Sequence, residues 1–219
     1  MTVCLFDAYG TLLDVHSAVA RHADLLEPEA GAISSLWRSK QLEYSWVHAL
    51  MGHHRDFWTL TQRALDHALM VYGVRDEMIR DELLQAYLNL EPYPDAVTCL
   101  QELKERGIRT AILSNGAPEM LEPAVRTAGL SDLLDAVLSI EEIGIYKPDP
   151  RVYQMGCDHF SVSPGSVVFL SSNPWDAAGA ASFGFRATWV NRGGIPQEYP
   201  DSPPLDELED LDAVAELID

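Results

Sequence analysis

An α/β fold built on a parallel sheet is predicted by three features of the chain: short apolar runs of β type recur along it, helical patterns separate the later runs, and 47% of its 219 residues are hydrophobic. That apolar content is enough to bury a sizeable core and excludes a disordered chain. The β-type runs are Val3 to Phe6, Thr110 to Leu113, Ala136 to Leu138, Val167 to Leu170 and Ala187 to Val190. Between them, helices are signalled at Tyr93 to Arg106, where Pro94 suits the first turn and Gly107 the end, and at Pro118 to Ala128, followed by Gly129. Further helices are predicted at Pro150 to Phe160 and Pro174 to Phe183. Residues 15–91 break the alternation. They hold no convincing strand but helical periodicity over roughly Ile33 to Met51, Phe57 to Tyr72 and Asp76 to Leu90, and so read as a helical insertion after the first strand. The sheet domain is then discontinuous, residues 1–14 plus 92–219, with a Pro/Gly-rich loop from Gly193 to Pro204 and an acidic helix closing it at Leu205 to Ile218.

Composition excludes several classes of function. Lys and Arg total 15 against 34 Asp and Glu, a net charge of −19, and no basic stripe could neutralise phosphates, so no nucleic-acid partner is expected. The same field repels a small anion at long range, which draws attention to any Arg or Lys near a candidate site. Cys4, Cys99 and Cys157 show no ligand spacing and do not suggest a disulfide framework. With no long apolar run and no basic leader before Asp7, the expectation is a cytoplasmic protein with no membrane partner. The adjacent His53 and His54 diverge on a helix and have no evident third ligand, so no metal site is expected.

Chemistry concentrates where the β-type runs end. Three finish in polar clusters: Asp7-Ala8-Tyr9-Gly10-Thr11, Ser114-Asn115-Gly116, and Ser171-Ser172-Asn173-Pro174-Trp175-Asp176. A fourth cluster, Tyr146-Lys147-Pro148-Asp149-Pro150, precedes the helix containing Tyr153. The carboxyl ends of parallel strands line the ligand crevice of an open sheet, so these segments can converge. Asp7 offers a carboxylate for nucleophilic attack, but an aspartate there can also cap a turn. Lys147 can keep such a carboxylate ionised or simply sit in solvent. Ser114 and Asn115 can bind an anion, although ordinary helix capping is the commoner use of such residues, and Asp176 suits the first turn of a helix. On the helix near residue 38, Ser34, Arg38, Gln41, Ser45 and His48 share one face and Ile33, Trp37, Tyr44 and Val47 another; the polar face can look into a cleft or into water. Tyr9, Leu42 and Trp58 can line an apolar pocket or belong to a core.

Taken in order, DAYGTLLD, SNG, YKPDPRVY and SSNPWDA resemble the haloacid dehalogenase superfamily over essentially the whole chain, and its L-2-haloacid dehalogenase branch in particular. The resemblance implies a Rossmann-like parallel core with an inserted helical cap. Phosphatases of the superfamily carry a second aspartate two residues after the nucleophile, and acids in the last motif, to hold Mg²⁺. Here those places hold Tyr9, Ser171 and Ser172, and a tyrosine is no hard carboxylate ligand. By resemblance, Asp7 is the nucleophile, Thr11 and Ser171 orient it and Lys147 pairs with it, while Tyr153 holds Lys147. Ser114 binds the substrate carboxylate; Arg38, Asn115 and Trp175 face the departing halide; Asn173 and Asp176 position the water. The implied reaction is metal-independent hydrolysis of an L-2-haloalkanoic acid to the D-2-hydroxy acid, with inversion, through an aspartyl ester. No cofactor is expected; the partners are a 2-haloacid, halide and water, with a homodimer left open. Two rival readings stay open: a related hydrolase acting on a strained ring or a phosphate ester, and a catalytically silent binding protein of the same fold.

Overall fold

The computed structural model describes residues 2–202 and 205–218. Its centre is a six-stranded parallel sheet in the order β3-β2-β1-β4-β5-β6, formed by β1 (Val3–Phe6), β2 (Arg109–Ser114), β3 (Ala136–Ser139), β4 (Val167–Ser171), β5 (Arg186–Val190) and β6 (Asp206–Leu208). Strand β1 lies in the middle, with Phe6 opposite Ile112 of β2 on one side and Leu170 of β4 on the other. Every residue of β1 and β4 is buried, as expected for parallel strands covered on both faces, and this explains their continuous apolar runs. The strand order reverses direction at β1, where the crevice beyond the carboxyl ends opens.

Helices α1 (Ser17–Ala20), α2 (Ala23–Leu26), α3 (Ala30–Leu50), α4 (Phe57–Val71) and α5 (Glu77–Tyr87) follow β1 without an intervening strand. Asp56 caps α4 through Thr59 N at 2.7 Å, and Asp76 caps α5 through Met78 N at 2.8 Å, which supplies acceptors for otherwise orphaned amides. Trp37 on α3 donates its indole N–H to Thr61 O on α4 at 2.9 Å, tying the two long helices together. The chain returns through α6 (Pro94–Glu105), α7 (Pro118–Thr127), α8 (Pro150–Phe160) and α9 (Pro174–Phe183), each with proline in its first turn, where a missing N–H costs nothing.

One expected element is absent. The segment Leu205 to Ile218 is not a helix; it forms β6, a turn and a 3₁₀ stretch over Val214–Leu217. Its acids at 206, 207, 209, 210 and 212 would repel one another at helical spacing, whereas the open edge of β5 offers paired backbone partners. Asn191 N accordingly donates to Leu208 O at 2.7 Å, and Leu211, Val214, Ala215 and Ile218 still reach the core. The loop from Gly193 to Ser202 has no regular structure, as predicted; Pro203 and Pro204 lie outside the described residues.

Candidate active site

Asp7 follows β1 directly, and its N–H continues the ladder to Leu170 O at 2.9 Å. Its carboxylate is 6% exposed at the residue level and points into a cluster of donors. Oδ2 accepts from Asn173 Nδ2 at 2.7 Å and more weakly from Thr11 Oγ1 at 3.4 Å, while Oδ1 accepts from Lys147 Nζ at 3.2 Å. Thr11 reaches back because Gly10 adopts φ +93°, a conformation that L side chains rarely take. The Thr11 hydroxyl also accepts from Ser172 N at 2.8 Å, so it fastens the loop after β1 to the loop after β4.

Lys147 is wholly buried, with its ammonium 2.8 Å from Asp176 Oδ2 and 4.9 Å from the centre of the Phe169 ring. Burial alone would lower its pKa, but the two carboxylates and their hydrogen bonds outweigh this and hold it above the ordinary lysine value. Its backbone is fixed at both ends, N–H donating to Asn115 Oδ1 at 3.0 Å and C=O accepting from Trp46 Nε1 at 3.2 Å. Asp176 sits in the first turn of α9 and accepts from Tyr153 Oη at 2.9 Å. Burial, reinforced by the negative charge of Asp7, pushes Asp176 up to about 6 despite the opposing pull of Lys147 and Tyr153. The close approach of α9 depends on Gly179, where a Cβ would lie 2.6 Å from both Pro148 Cβ and Tyr153 Oη.

From the helical segment, Arg38 on α3 reaches the same place. Its Nη2 donates to Tyr9 O and Asn173 Oδ1, both at 3.2 Å, and Nη1 donates to Gln41 Oε1 at 2.7 Å. Ser34, Gln41 and Ser45 on its helical face are buried, so that face looks into the protein and not into bulk water. Tyr9 is buried with its ring stacked on Tyr87 at 5.7 Å; no described residue partners its hydroxyl.

Asp7, Thr11, Arg38, Lys147, Asn173, Asp176 and Tyr153 thus form one connected network, but several contacts differ from those expected. Ser171 does not touch the Asp7 carboxylate; its hydroxyl accepts from Asn173 N at 3.2 Å and so acts one step removed. Tyr153 bonds Asp176 and not Lys147, because α8 and α9 pack directly against each other. Asn173 is bound to the Asp7 carboxylate itself. Ser114 is fully buried, with its hydroxyl accepting from Gly116 N at 3.0 Å, and the Asn115 carbonyl is engaged with Lys147. Trp175 packs edge-on against Trp46 at 5.2 Å and lines a separate groove of about 610 Å³ with Pro148 and Tyr199. Trp58 borders another hollow, of about 570 Å³, beside Asp56, Glu119, Glu122 and Glu141. Leu42 is half-buried on α3. His54 pairs with Glu141 at 2.7 Å, which gives it a structural use, and the three cysteines are buried and free.

Residues missed by sequence reasoning also belong here. Trp46 lies eight positions after Arg38, on the stripe that Leu42 shares, and this spacing could have pointed to it. Arg192 follows β5 as the other polar clusters follow their strands. It binds Asp95 at 2.8 and 3.1 Å, and Thr11 O at 3.0 Å. Among the described residues no helix is long and apolar enough to cross a membrane.

The arrangement can present a carboxylate to an electrophile, with a buried cation beside it and a second buried carboxylate behind that cation. Comparison with known proteins agrees with this reading. The chain is 50% identical to (S)-2-haloacid dehalogenase 1 of Pseudomonas sp. (strain CBS-3), over 98% of this chain and 95% of that protein. A crystal structure of a dehalogenase with intermediate complex superposes with a TM-score of 0.97 at 47% identity, covering 100% of this chain and 97% of the other. That of L-2-haloacid dehalogenase from Xanthobacter autotrophicus with chloropropionic acid covalently bound gives 0.89 at 36%, covering 99% and 98%. The haloacid dehalogenase-like hydrolase model matches residues 1–184, and the chain belongs to that family, in its L-2-haloacid dehalogenase branch.

Proposed function

We infer that this chain hydrolyses L-2-haloalkanoic acids to D-2-hydroxy acids, with Asp7 as the nucleophile. The observation that carries the reading is the Asp7–Lys147–Asp176 arrangement with Tyr9, not an acid, two residues after Asp7. In the first step an Asp7 oxygen attacks C2, the carbon–halogen bond breaks from the opposite side and inverts the centre, and halide departs toward Arg38 and Asn115. Positive and N–H donors matter here because charge moves onto the halogen in the transition state. In the second step water attacks the Asp7 carbonyl carbon and the ester C–O bond on the enzyme side breaks, so the product keeps an original Asp7 oxygen. Asp176 takes the proton from that water, with Lys147 and Tyr153 positioning it. Ser114 and Lys147 bind the substrate carboxylate, and Tyr9 and Leu42 shape the apolar wall.

In this proposal residues 15–91 act as a cap over a core of residues 1–14 and 92–219, and exclude bulk water from the ester. The protein works in the cytoplasm, and a homodimer is the assembly to look for. A single turnover in ¹⁸O-water with enzyme in excess tests the central step: label is expected on the Asp7 carboxylate, with D-lactate formed from L-2-chloropropionate only. Label in the product alone, on an unlabelled enzyme, would remove Asp7 from its role.

A further inference from the structure

Among the described residues Arg38 has no carboxylate partner; its guanidinium donates to three neutral oxygens, Gln41 Oε1 at 2.7 Å and Tyr9 O and Asn173 Oδ1 at 3.2 Å. In a chain with 34 acids this is unusual: Arg21, Arg80, Arg106, Arg109, Arg151 and Arg192 each lie against a carboxylate. The shortest of the three contacts comes from Gln41, which is 1% exposed and sits one turn further along α3. An amide can turn either its oxygen or its NH₂ to a neighbour, and only the oxygen accepts from a guanidinium. Its direction is set from behind. The Thr61 hydroxyl on α4 donates its one proton to Phe57 O at 2.7 Å, so it can only accept from the amide, and Gln41 Nε2 donates to it at 2.7 Å. The Tyr87 hydroxyl also accepts from Nε2, at 3.0 Å, and both Thr61 and Tyr87 are buried. Turning the amide over would set its NH₂ against Arg38 and its oxygen against a hydroxyl already committed, losing a buried hydrogen bond on each side.

We propose that Gln41 is a positioning residue for carbon–halogen cleavage: it fixes the Arg38 guanidinium from α3 with a neutral oxygen, so that the arginine is oriented while its charge is left for the departing halide. The inference rests on the dehalogenase reading and adds to it a reason for an amide, and not an acid, at position 41. A carboxylate there would bind the guanidinium more strongly. It would also place a buried anion beside the charge that meets the developing halide, and so weaken the field that favours the transition state.

Steady-state kinetics of Gln41→Met and Gln41→Glu on L-2-chloropropionate and L-2-bromopropionate, in mildly alkaline buffer where a carboxyl at 41 is ionised, test this role. Both variants should lower kcat/KM for the chloro acid about tenfold, as expected when one hydrogen bond to a charged group is lost or its charge offset. The loss should be smaller for the bromo acid, whose weaker carbon–halogen bond needs less help from Arg38. In an Arg38→Lys background the same substitutions should change kcat/KM by less than about threefold, because residues acting through one another are not additive. Wild-type kinetics in Gln41→Met overturn the proposal. Full activity in Gln41→Glu overturns it too, since the neutrality of the side chain would then not matter. Equal losses on both substrates that persist undiminished in the Arg38→Lys background would mean a general disturbance of the helix packing, and also overturn it. If Gln41→Met does not fold, Thr61→Val, which frees the amide to turn, decides by the same halogen dependence. Halide release by the unaltered enzyme reports on the dehalogenase reading separately: an active enzyme whose Gln41 variants match it sinks the positioning role alone.

Discussion

Replacing Lys147 with methionine keeps most of the side-chain volume and removes the charge. Asp7 and Asp176, 6% and 0% exposed, then lose the cation that lies 3.2 and 2.8 Å from them. Breaking a buried pair by deleting one partner costs about 3–5 kcal/mol, and in a chain of this size each kcal/mol moves Tm by roughly 2–4 °C, so a fall on the order of 10 °C is expected near neutral pH. The sign of the pH dependence follows from Asp176. Its folded value, about 6, already lies above the ordinary aspartate value of 3.8, and losing Lys147 raises it further. A raised carboxylate penalises folding at high pH, and the penalty is relieved as pH falls through the folded value; the gap between variant and wild type therefore opens above about pH 6 and narrows below it. At the alkaline end the wild type loses its own advantage: the raised Lys147 contributes fully below the unfolded lysine value and is lost as pH rises through the folded one. Urea denaturation followed by tryptophan fluorescence at several pH values measures the gap. A difference under about 1 kcal/mol at neutral pH, or one that does not change with pH, would refute the assignment of a buried cation compensating two carboxylates.

Arg38→Lys retains charge but loses the planar fork that spans Gln41, Tyr9 and Asn173; kcat should fall by about 10²-fold, or roughly 3 kcal/mol, and unaltered kinetics would take Arg38 out of the reaction. Because Asp176 must be ionised to accept a proton, kcat should decline as pH drops through about 6, and a flat profile across that range would exclude it as the base. Tyr9→Phe removes a buried hydroxyl that has no described partner and should stabilise the protein by about 1 kcal/mol in thermal melts; a loss of similar size would show that the hydroxyl is bonded after all.

Where periodicity was strong, sequence reasoning placed the elements well: Val3–Phe6, Pro150–Phe160 and Pro174–Phe183 have the bounds expected from apolar runs and proline-led first turns. It failed at Leu205 to Ile218, where an apolar repeat of helical spacing coexists with an acidic density that favours pairing with a sheet edge. The site was legible as a set of strand-end residues because parallel topology brings those ends together. Contacts within the set were not. Whether Tyr153 meets Lys147 or Asp176, and whether Ser171 meets Asp7 or Asn173, depends on the packing of α8 on α9 and the pitch of one turn, neither of which leaves a mark in residue type. Arg192 escaped notice because its loop, rich in glycine and proline, reads as a simple connector.

Gly179 carries no functional group, yet it bounds what protein engineering can do here. With 2.6 Å from its imagined Cβ to both Pro148 and Tyr153, even an added methyl must displace the helix that carries Asp176 or the segment that carries Lys147. Libraries that vary Trp175 or Ala178, which line the separate groove on this helix, therefore work beside a position with no spare room. Mutational tolerance along α9 should alternate steeply between its groove-facing side and this contact, so that the least reactive residue of the helix is also the least replaceable.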